Sequence, residues 1–449
     1  MKILLVRPAA VNILQHLQVI NSEPLELEYL YTVAKKHSWE PFIYDGFNSK
    51  KSLTKVIKEF QPDVIGITGY ITQENLILKY VELAKKINSN IITIIGGVHA
   101  QLNYKNFYSP NTDFVFRSED MIAFGTLLDS ITKKQIDYSN INALCWKKNN
   151  EWIENEFVSV DINTLPIPDR SFFYKNKKWF RYIDLEETAT IKTSLSCPYN
   201  CNFCYCTQLA GKYSIRDLDK VMQEIENLDC KNILIADDLF LFDEKRIWNF
   251  IDEIKKRNIN KNFICYGRAD YISSHPEQIK ALVEIGFIYF LVGIESSSDN
   301  ELNEYNKQIT ADVNIQCINL LNELNARCFA LMIIPIDADK SYFYNLYKWI
   351  VKNNVQYATL SIFTPMPGTK NFKDYQDKLI TKDCTKWDFL HLVLKPTKLS
   401  TLSFYFEFYK LTYKLYKYTQ KTGIFDFMNF KYYKNIIWNY ICQKLRREL

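Results

Sequence analysis

Ser196-Cys197-Pro198-Tyr199-Asn200-Cys201-Asn202-Phe203-Cys204-Tyr205 sets three cysteines at the spacing C-x3-C-x2-C, with an aromatic just before the third. A tight loop of this spacing can bring Cys197, Cys201 and Cys204 as thiolates to three corners of a cubane iron–sulfur cluster. Three protein ligands for four irons leave one iron open, and an open iron is where chemistry can occur. The competing reading is a zinc site or redox-inert cysteines. Zinc sites use paired C-x2-C elements or histidines and need a fourth ligand. Cys206 lies too close to Cys204 to close a tetrahedron easily and reads as a bystander.

The rest of the chain suits an enzyme built around such a loop. At 449 residues it has room for two or more domains with sizeable cores. A net charge of +5 is mild for this length and gives no footprint of a nucleic-acid binder. The 30 Tyr and 29 Phe point to thick cores or large apolar pockets. Eleven cysteines do not form a secreted disulfide pattern. Met1–Val6 reads as a first strand rather than a signal peptide. No uncharged apolar run is long enough to span a membrane. A cytoplasmic, low-oxygen setting is expected.

Up to about residue 130, short apolar runs at Ile3–Val6, Pro41–Tyr44, Val64–Thr68, Ile91–Ile95 and Phe114–Phe116 alternate with amphipathic stretches at Leu25–Lys36, Leu53–Phe60 and Asn75–Ile87. This alternation predicts a doubly wound parallel sheet, which binds ligands outside the carboxyl ends of its strands. Two of those ends are glycine-rich: Gly66-Ile67-Thr68-Gly69-Tyr70 and Gly96-Gly97-Val98-His99. Next come a hairpin around Asn149-Asn150-Glu151 and the turn-rich Leu165-Pro166-Ile167-Pro168-Asp169-Arg170. From Ala189 the strand–helix period repeats. Successive strands end at the cysteine loop, Asp237-Asp238, Gly267-Arg268-Ala269-Asp270, Gly293-Ile294-Glu295-Ser296, Pro335 and Pro365-Met366-Pro367-Gly368-Thr369. Six such strands predict a partial parallel β/α barrel with its active site at those ends. The tail after Leu399 carries Lys410, Lys414, Lys417 and Lys421 at helical spacing beside Phe404, Phe408, Leu411 and Leu415. It could touch a membrane surface or an acidic partner, and reads first as a helical cap with a solvated lysine face.

The cysteine stretch is similar to the radical SAM signature CxxxCxφC, with Phe203 at φ. Gly293–Ser296 is similar to that family's GIES element, Gly267–Asp270 to its G-x-R-x-D stretch, and Pro365–Thr369 to its PxPGT turn. Lys2–Pro8, Glu23-Pro24-Leu25 and Gly96–His99 resemble the cobalamin-binding domain that precedes the barrel in one large subfamily, and Leu165–Arg170 resembles that subfamily's LPxPDR linker. The resemblance covers roughly residues 1–400. Two departures stand out. The DxHxxG motif is missing from the loop Arg7–His16, as it is in many members whose cobalt has no protein histidine below it. Leu331–Pro335 also lacks the usual GxPxE turn. His99 and His391 are conceivable ligand or substrate contacts that read first as packed or hydrogen-bonded histidines.

The resemblance implies an α/β chain divided as follows: a Rossmann-like cobalamin-binding domain (1–135), a connector (136–185), a partial (β/α)6 radical SAM barrel (186–375) and a helical C-terminal region (376–449). It implies a [4Fe-4S] cluster on Cys197, Cys201 and Cys204. The bound S-adenosylmethionine would be contacted by Phe203, Asp238, Arg268 and Glu295, and cobalamin by Thr68, Gly69, Gly96 and Gly97. The expected reaction is cleavage of S-adenosylmethionine to a deoxyadenosyl radical, followed by methyl transfer from cobalamin to an unactivated carbon. An external donor of flavodoxin or ferredoxin type would supply electrons. The alternatives are a radical SAM cyclase, rearrangement or oxidation enzyme without methyl transfer and, from a different class, a non-catalytic iron–sulfur electron carrier. The substrate, whether small molecule, lipid or peptide, is left open, with the aromatic content leaning toward something large or apolar.

Overall fold

Lys2–Arg7 (β1) is apolar on both faces because it pairs on both edges and is covered on both sides, the pattern of a central parallel strand. The computed structural model describes residues 1–11, 19–209, 211–428, 432–434, 437, 438 and 441, without the side chains of 207 and 208. These residues form two compact units. The first holds residues 1–179, with 208–214 and the segment from 428 onward.

In this first unit β1 is followed by Leu25–Lys36 (α1), Glu40–Asp45 (β2), Leu53–Phe60 (α2), Val64–Ile67 (β3), Glu74–Ile87 (α3), Ile92–Ile95 (β4), Val98–Asn103 (α4), Phe114–Phe116 (β5) and Met121–Thr132 (α5). The helices start where short polar side chains can satisfy free backbone N–H groups: Ser52 accepts from Lys55 N, and Asp120 from Ile122 N and Ala123 N. The sheet order is β2-β1-β3-β4-β5, all parallel, extended by an antiparallel hairpin of Leu144–Lys148 (β6) and Glu151–Glu154 (β7). Asn149 and Asn150 turn this hairpin at φ of 53° and 66°, the left-handed pair that a two-residue turn requires. The order reverses between β1 and β3, so a crevice opens at the carboxyl ends of those two strands.

The Asp169-Arg170 turn is bound to α1. Asp169 N donates to Thr32 Oγ1 at 2.7 Å and Lys35 Nζ to Asp169 Oδ2 at 3.0 Å. Arg170 is buried with Glu23 at 2.8 Å and Glu28 at 3.3 Å, and Glu28 also accepts from Phe173 N. Burial and the neighbouring Glu23 push the Glu28 carboxyl well above the ordinary value, against the pull of Arg170. The proline-rich stretch thus has a structural duty that its sequence does not announce.

The second unit holds residues 180–207 and 215–427. Its main sheet has six strands, Thr188–Ile191 (β8), Asn232–Ile235 (β9), Asn262–Gly267 (β10), Phe287–Glu295 (β11), Arg327–Ile334 (β12) and Tyr357–Ile362 (β13), parallel and in sequence order. Between and after them lie Leu218–Asn227 (α6), Glu244–Lys256 (α7), Pro276–Glu284 (α8), Ala311–Glu323 (α9), Lys340–Lys352 (α10) and Thr401–Gln420 (α11). Asp217, Asp243, Thr310, Asp339 and Ser400 cap five of these helices. The sheet face toward the helices is closed by Phe240, Phe250, Phe263 and Phe287, with ring centroids 5.0–6.0 Å apart. The other face carries Tyr289, Phe329 and Tyr357 in a row at 5.0 and 4.8 Å, the register expected of side chains that alternate along neighbouring strands.

The continuous strand predicted over Ala189–Leu195 breaks after Ile191. There Thr193 leaves the ladder to bond Asp237 through both its N (2.6 Å) and its Oγ1 (2.5 Å).

Candidate functional site

The cysteine loop is held by neighbours far away in sequence. Cys204 N donates to Cys201 O at 3.1 Å, closing the turn between the second and third thiols. Asn202 N donates to Tyr305 O (2.9 Å), Asn202 Nδ2 to Glu304 O (2.7 Å), and Asn306 Nδ2 to Asn200 O (2.7 Å). From the other side Asn371 N donates to Asn202 O at 3.0 Å. Asn371 lies in the helix that Thr369 caps, with Gly368 at φ 94° turning into it. The Pro365–Thr369 turn therefore bears on the loop through Asn371.

Cys197, Cys201 and Cys204 are all part-buried free thiols. Burial pushes the Cys197 thiol up to about 11 and raises Cys201 as well, whereas a hydrogen bond from Cys206 holds Cys204 down. Among the described residues no three such side chains are close enough to share one metal ion. A cubane asks for something different, since each of its irons takes its own thiolate and the thiols surround the cluster. Cys206 directs its thiol at Asp238 Oδ1, 3.4 Å away.

Around the loop, Phe203 meets the edge of Tyr305 at 5.6 Å, and the Arg268 guanidinium lies 3.7 Å from the Tyr199 ring centre. Arg268 is buried. It binds Asp270 through two nitrogens, each at 3.0 Å, and donates to Lys307 O at 2.7 Å. Glu295, at φ 60°, accepts from Lys307 Nζ at 2.9 Å in a nearly buried pair. Gly293 makes room for this pair, because a Cβ there would lie 2.4 Å from Glu295 Oε1 and 2.6 Å from Lys307 Nζ.

Of the two aspartates after β9, Asp237 is wholly structural: buried, it accepts from Thr193 and from Ser194 Oγ (2.8 Å). Asp238 is exposed beside Cys206. Neither caps α7, a task that falls to Asp243. Lys307, Tyr305 and Tyr199 belong to the same cluster and were not singled out from the sequence. Tyr199 lies inside the cysteine motif and so was within reach, but nothing local marks Lys307 or Tyr305.

In the first unit, the ends of β3 and β4 meet closely. Gly97 has φ 91°, and a Cβ on it would lie 2.2 Å from Thr68 Oγ1 and 3.2 Å from Gly69 N. Gly96 differs: a Cβ there would find nothing nearer than Phe116 Cβ at 3.9 Å, so the space before it is open. Gln73 ties the end of β1 to this point, donating to Pro8 O and Ala9 O (3.2 and 3.1 Å) and accepting from Tyr70 N at 3.2 Å. Gly69 and Gly97 thus serve the close packing of the ends of β3 and β4, while Gly96 opens onto free space beside the switch point, which suits the close approach of a bulky cofactor.

His99 is buried, with Nε2 2.6 Å from Glu74 and Nδ1 3.3 Å from Asn103 Nδ2, so both ring nitrogens have protein partners. Those partners are side chains, so His99 is a packed, hydrogen-bonded histidine of α4. Burial raises the Glu74 carboxyl, but hydrogen bonds from His99 and Asn106 outweigh it and hold the pKa below the ordinary value. Residues 12–16 of the loop that lacks DxHxxG, His16 included, lie outside the described residues. His391 pairs with Asp388 at 2.8 Å.

Two family descriptions match the chain: B12 binding domain over residues 21–128 and Radical SAM superfamily over residues 191–350. The uncharacterized methyltransferase PH0819 of Pyrococcus horikoshii is 26% identical over 414 residues, covering 88% of each chain. The hopanoid C-3 methylase of Methylococcus capsulatus is 23% identical over 403 residues, 88% of this chain and 76% of its own. Among solved structures, the cobalamin-dependent S-adenosylmethionine radical enzyme OxsB, with aqua-cobalamin and S-adenosylmethionine bound, superposes with a TM-score of 0.67. It does so at 17% identity, over 86% of this chain and 56% of OxsB, which is a likeness of fold. The B12-binding match falls within the first unit and the radical SAM match largely within the second. The chain thus combines a B12-binding domain with a radical SAM domain, and these two domains imply a [4Fe-4S] cluster, S-adenosylmethionine and cobalamin as its cofactors.

Proposed function

We propose that this enzyme transfers a methyl group to an unactivated carbon of an apolar substrate. The observation that carries the reading is the pairing, in one chain, of a three-thiol loop at the ends of a six-stranded parallel sheet with glycine-rich strand ends, open at Gly96, beside the switch point of a second sheet. The methylase names of the relatives point the same way. When bound, the cluster and S-adenosylmethionine supply a radical able to abstract hydrogen from carbon, and cobalamin supplies the methyl group.

The chain's own residues bind, orient and exclude water. Cys197, Cys201 and Cys204 would hold three irons, on a loop whose position is set by Asn202 and Asn306. Phe203 and Tyr305 would give an apolar wall for S-adenosylmethionine. Glu295 would suit its ammonium or ribose hydroxyls, and Arg268 and Lys307 its carboxylate. Asp238 would stand at the rim. Thr68, Gly69, Gly96 and Gly97 would receive cobalamin, and His99 is already committed to Glu74. Leu331 and Ile333 are only partly covered near the end of β12, and they offer an apolar surface where the GxPxE turn is missing. An external one-electron donor of flavodoxin or ferredoxin type and a cytoplasmic setting complete the proposal.

The test is anaerobic reconstitution with iron, sulfide and hydroxocobalamin, followed by turnover with methyl-labelled S-adenosylmethionine. Methyl transfer requires deoxyadenosine and S-adenosylhomocysteine in equal amounts, because one S-adenosylmethionine is cleaved and another gives up its methyl. Deoxyadenosine without S-adenosylhomocysteine would replace this reading with the cyclising or rearranging alternative. No deoxyadenosine at all would leave the electron carrier.

A further inference from the structure

Helix α11 is apolar on two opposite sides. Its inner side, Phe404, Phe408, Leu411 and Leu415, is buried against α10, with Phe404 edge-on to Phe343 at 5.5 Å. Its outer side carries Leu402, Phe406, Tyr409 and Tyr413 at spacings of four, three and four, one continuous helical stripe. Leu402 is 81% exposed, Phe406 65% and Tyr413 62%. A surface helix ordinarily turns charge outward on this side.

The lysines instead lie along one flank of the stripe. Lys410 Nζ is 5.6 Å from the Phe406 ring centre and Lys417 Nζ 5.9 Å from that of Tyr413. Lys414 reaches Tyr347 of α10 at 4.9 Å, and Lys348 lies 4.4 Å from the ring centre of the exposed Tyr344. The acidic residue of α11, Glu407, is buried under Lys410 at 3.0 Å, and α10 has none. Asp388, near Tyr409, is paired with His391. Apart from the Lys410–Glu407 pair, the lysines of this face, Lys348, Lys414 and Lys417, make no ion pair among the described residues, so rings and positive charge predominate on it.

We propose that the outer face of α11, with the adjoining rim of α10, docks onto an anionic lipid surface. Tyr and Phe rings settle at the headgroup level, and lysine stems run along the apolar face to deliver their ammonium groups to lipid phosphates. No helix among the described residues is long and apolar enough to cross a membrane, so the contact is peripheral. Charge complementarity favours lipid over a second copy of the chain, whose matching face would repeat the same lysines.

The test uses the full chain and reads no turnover, so its failure is distinct from failure of the methyl-transfer reading. Protein is sedimented with vesicles of phosphatidylcholine alone or mixed with phosphatidylglycerol. The expected result is binding to the anionic vesicles that weakens with salt. The Phe406→Ser/Tyr413→Ser double variant should fall at least tenfold in partition, and each of Lys348→Gln and Lys417→Gln about fivefold, with wild-type circular dichroism throughout because all four side chains are exposed. Wild-type protein left in the supernatant, or variants that bind equally, would overturn the proposal. So would a wild-type dimer that ignores vesicles and becomes monomeric in the double variant, since the stripe would then be a contact between copies.

Discussion

At the scale of single residues, Gly293 and Glu295 together shape the proposed S-adenosylmethionine site. In Gly293→Ala the new methyl would enter the space of both partners of the Glu295–Lys307 pair. Opening a buried, charged hydrogen bond costs about 1.5–3 kcal/mol, so S-adenosylmethionine affinity should fall at least tenfold in equilibrium dialysis of the reconstituted protein. Unchanged affinity would remove Glu295 from the proposed site. Glu74 gives a pH signature in the other unit. Its folded pKa lies below the ordinary 4.5, so the unfolded chain binds more protons and stability is lost as pH falls through that range. The stability advantage of wild type over Glu74→Gln, read from thermal midpoints, should be present at pH 7 and shrink by pH 3. An advantage that persists at pH 3 would mean that Glu74 acts by packing and not by charge.

At the scale of elements, α1 and the turn carrying Asp169 and Arg170 are joined through one buried guanidinium and two buried carboxylates. Arg170→Ala strands Glu23 and Glu28 without their countercharge, and breaking such a group costs about 3–5 kcal/mol. A matching drop in the urea midpoint of the first unit is expected, and a change below about 1 kcal/mol, the ceiling for an exposed ion pair, would show that water reaches the cluster. The elements themselves were readable. Strand and helix periods placed both sheets, and Asn149-Asn150 announced its hairpin. What failed was continuity: Ala189–Leu195 reads as one strand, yet Thr193 is drawn off it by Asp237, 44 residues on.

For the whole molecule, the two proposed cofactor sites belong to separate compact units, so they should fail separately. Cys201→Ala should abolish deoxyadenosine formation and lower bound iron while leaving cobalt content intact. Gly96→Val should do the reverse, since its side chain enters open space rather than the fold. Loss of both metals in either variant, measured after anaerobic reconstitution, would contradict that independence.

The thiol spacing, the glycine-rich strand ends and the strand–helix alternation behind the parallel part of each sheet are set by sequence alone, because they are local patterns of a few residues repeated along the chain. Tertiary structure alone decided which groups meet. It put Lys307 on Glu295, turned His99 toward Glu74, committed Asp237 to the backbone of Thr193 and left the outer stripe of α11 uncovered. Those outcomes depend on how helices and strands distant in sequence pack, and no local period carries that information.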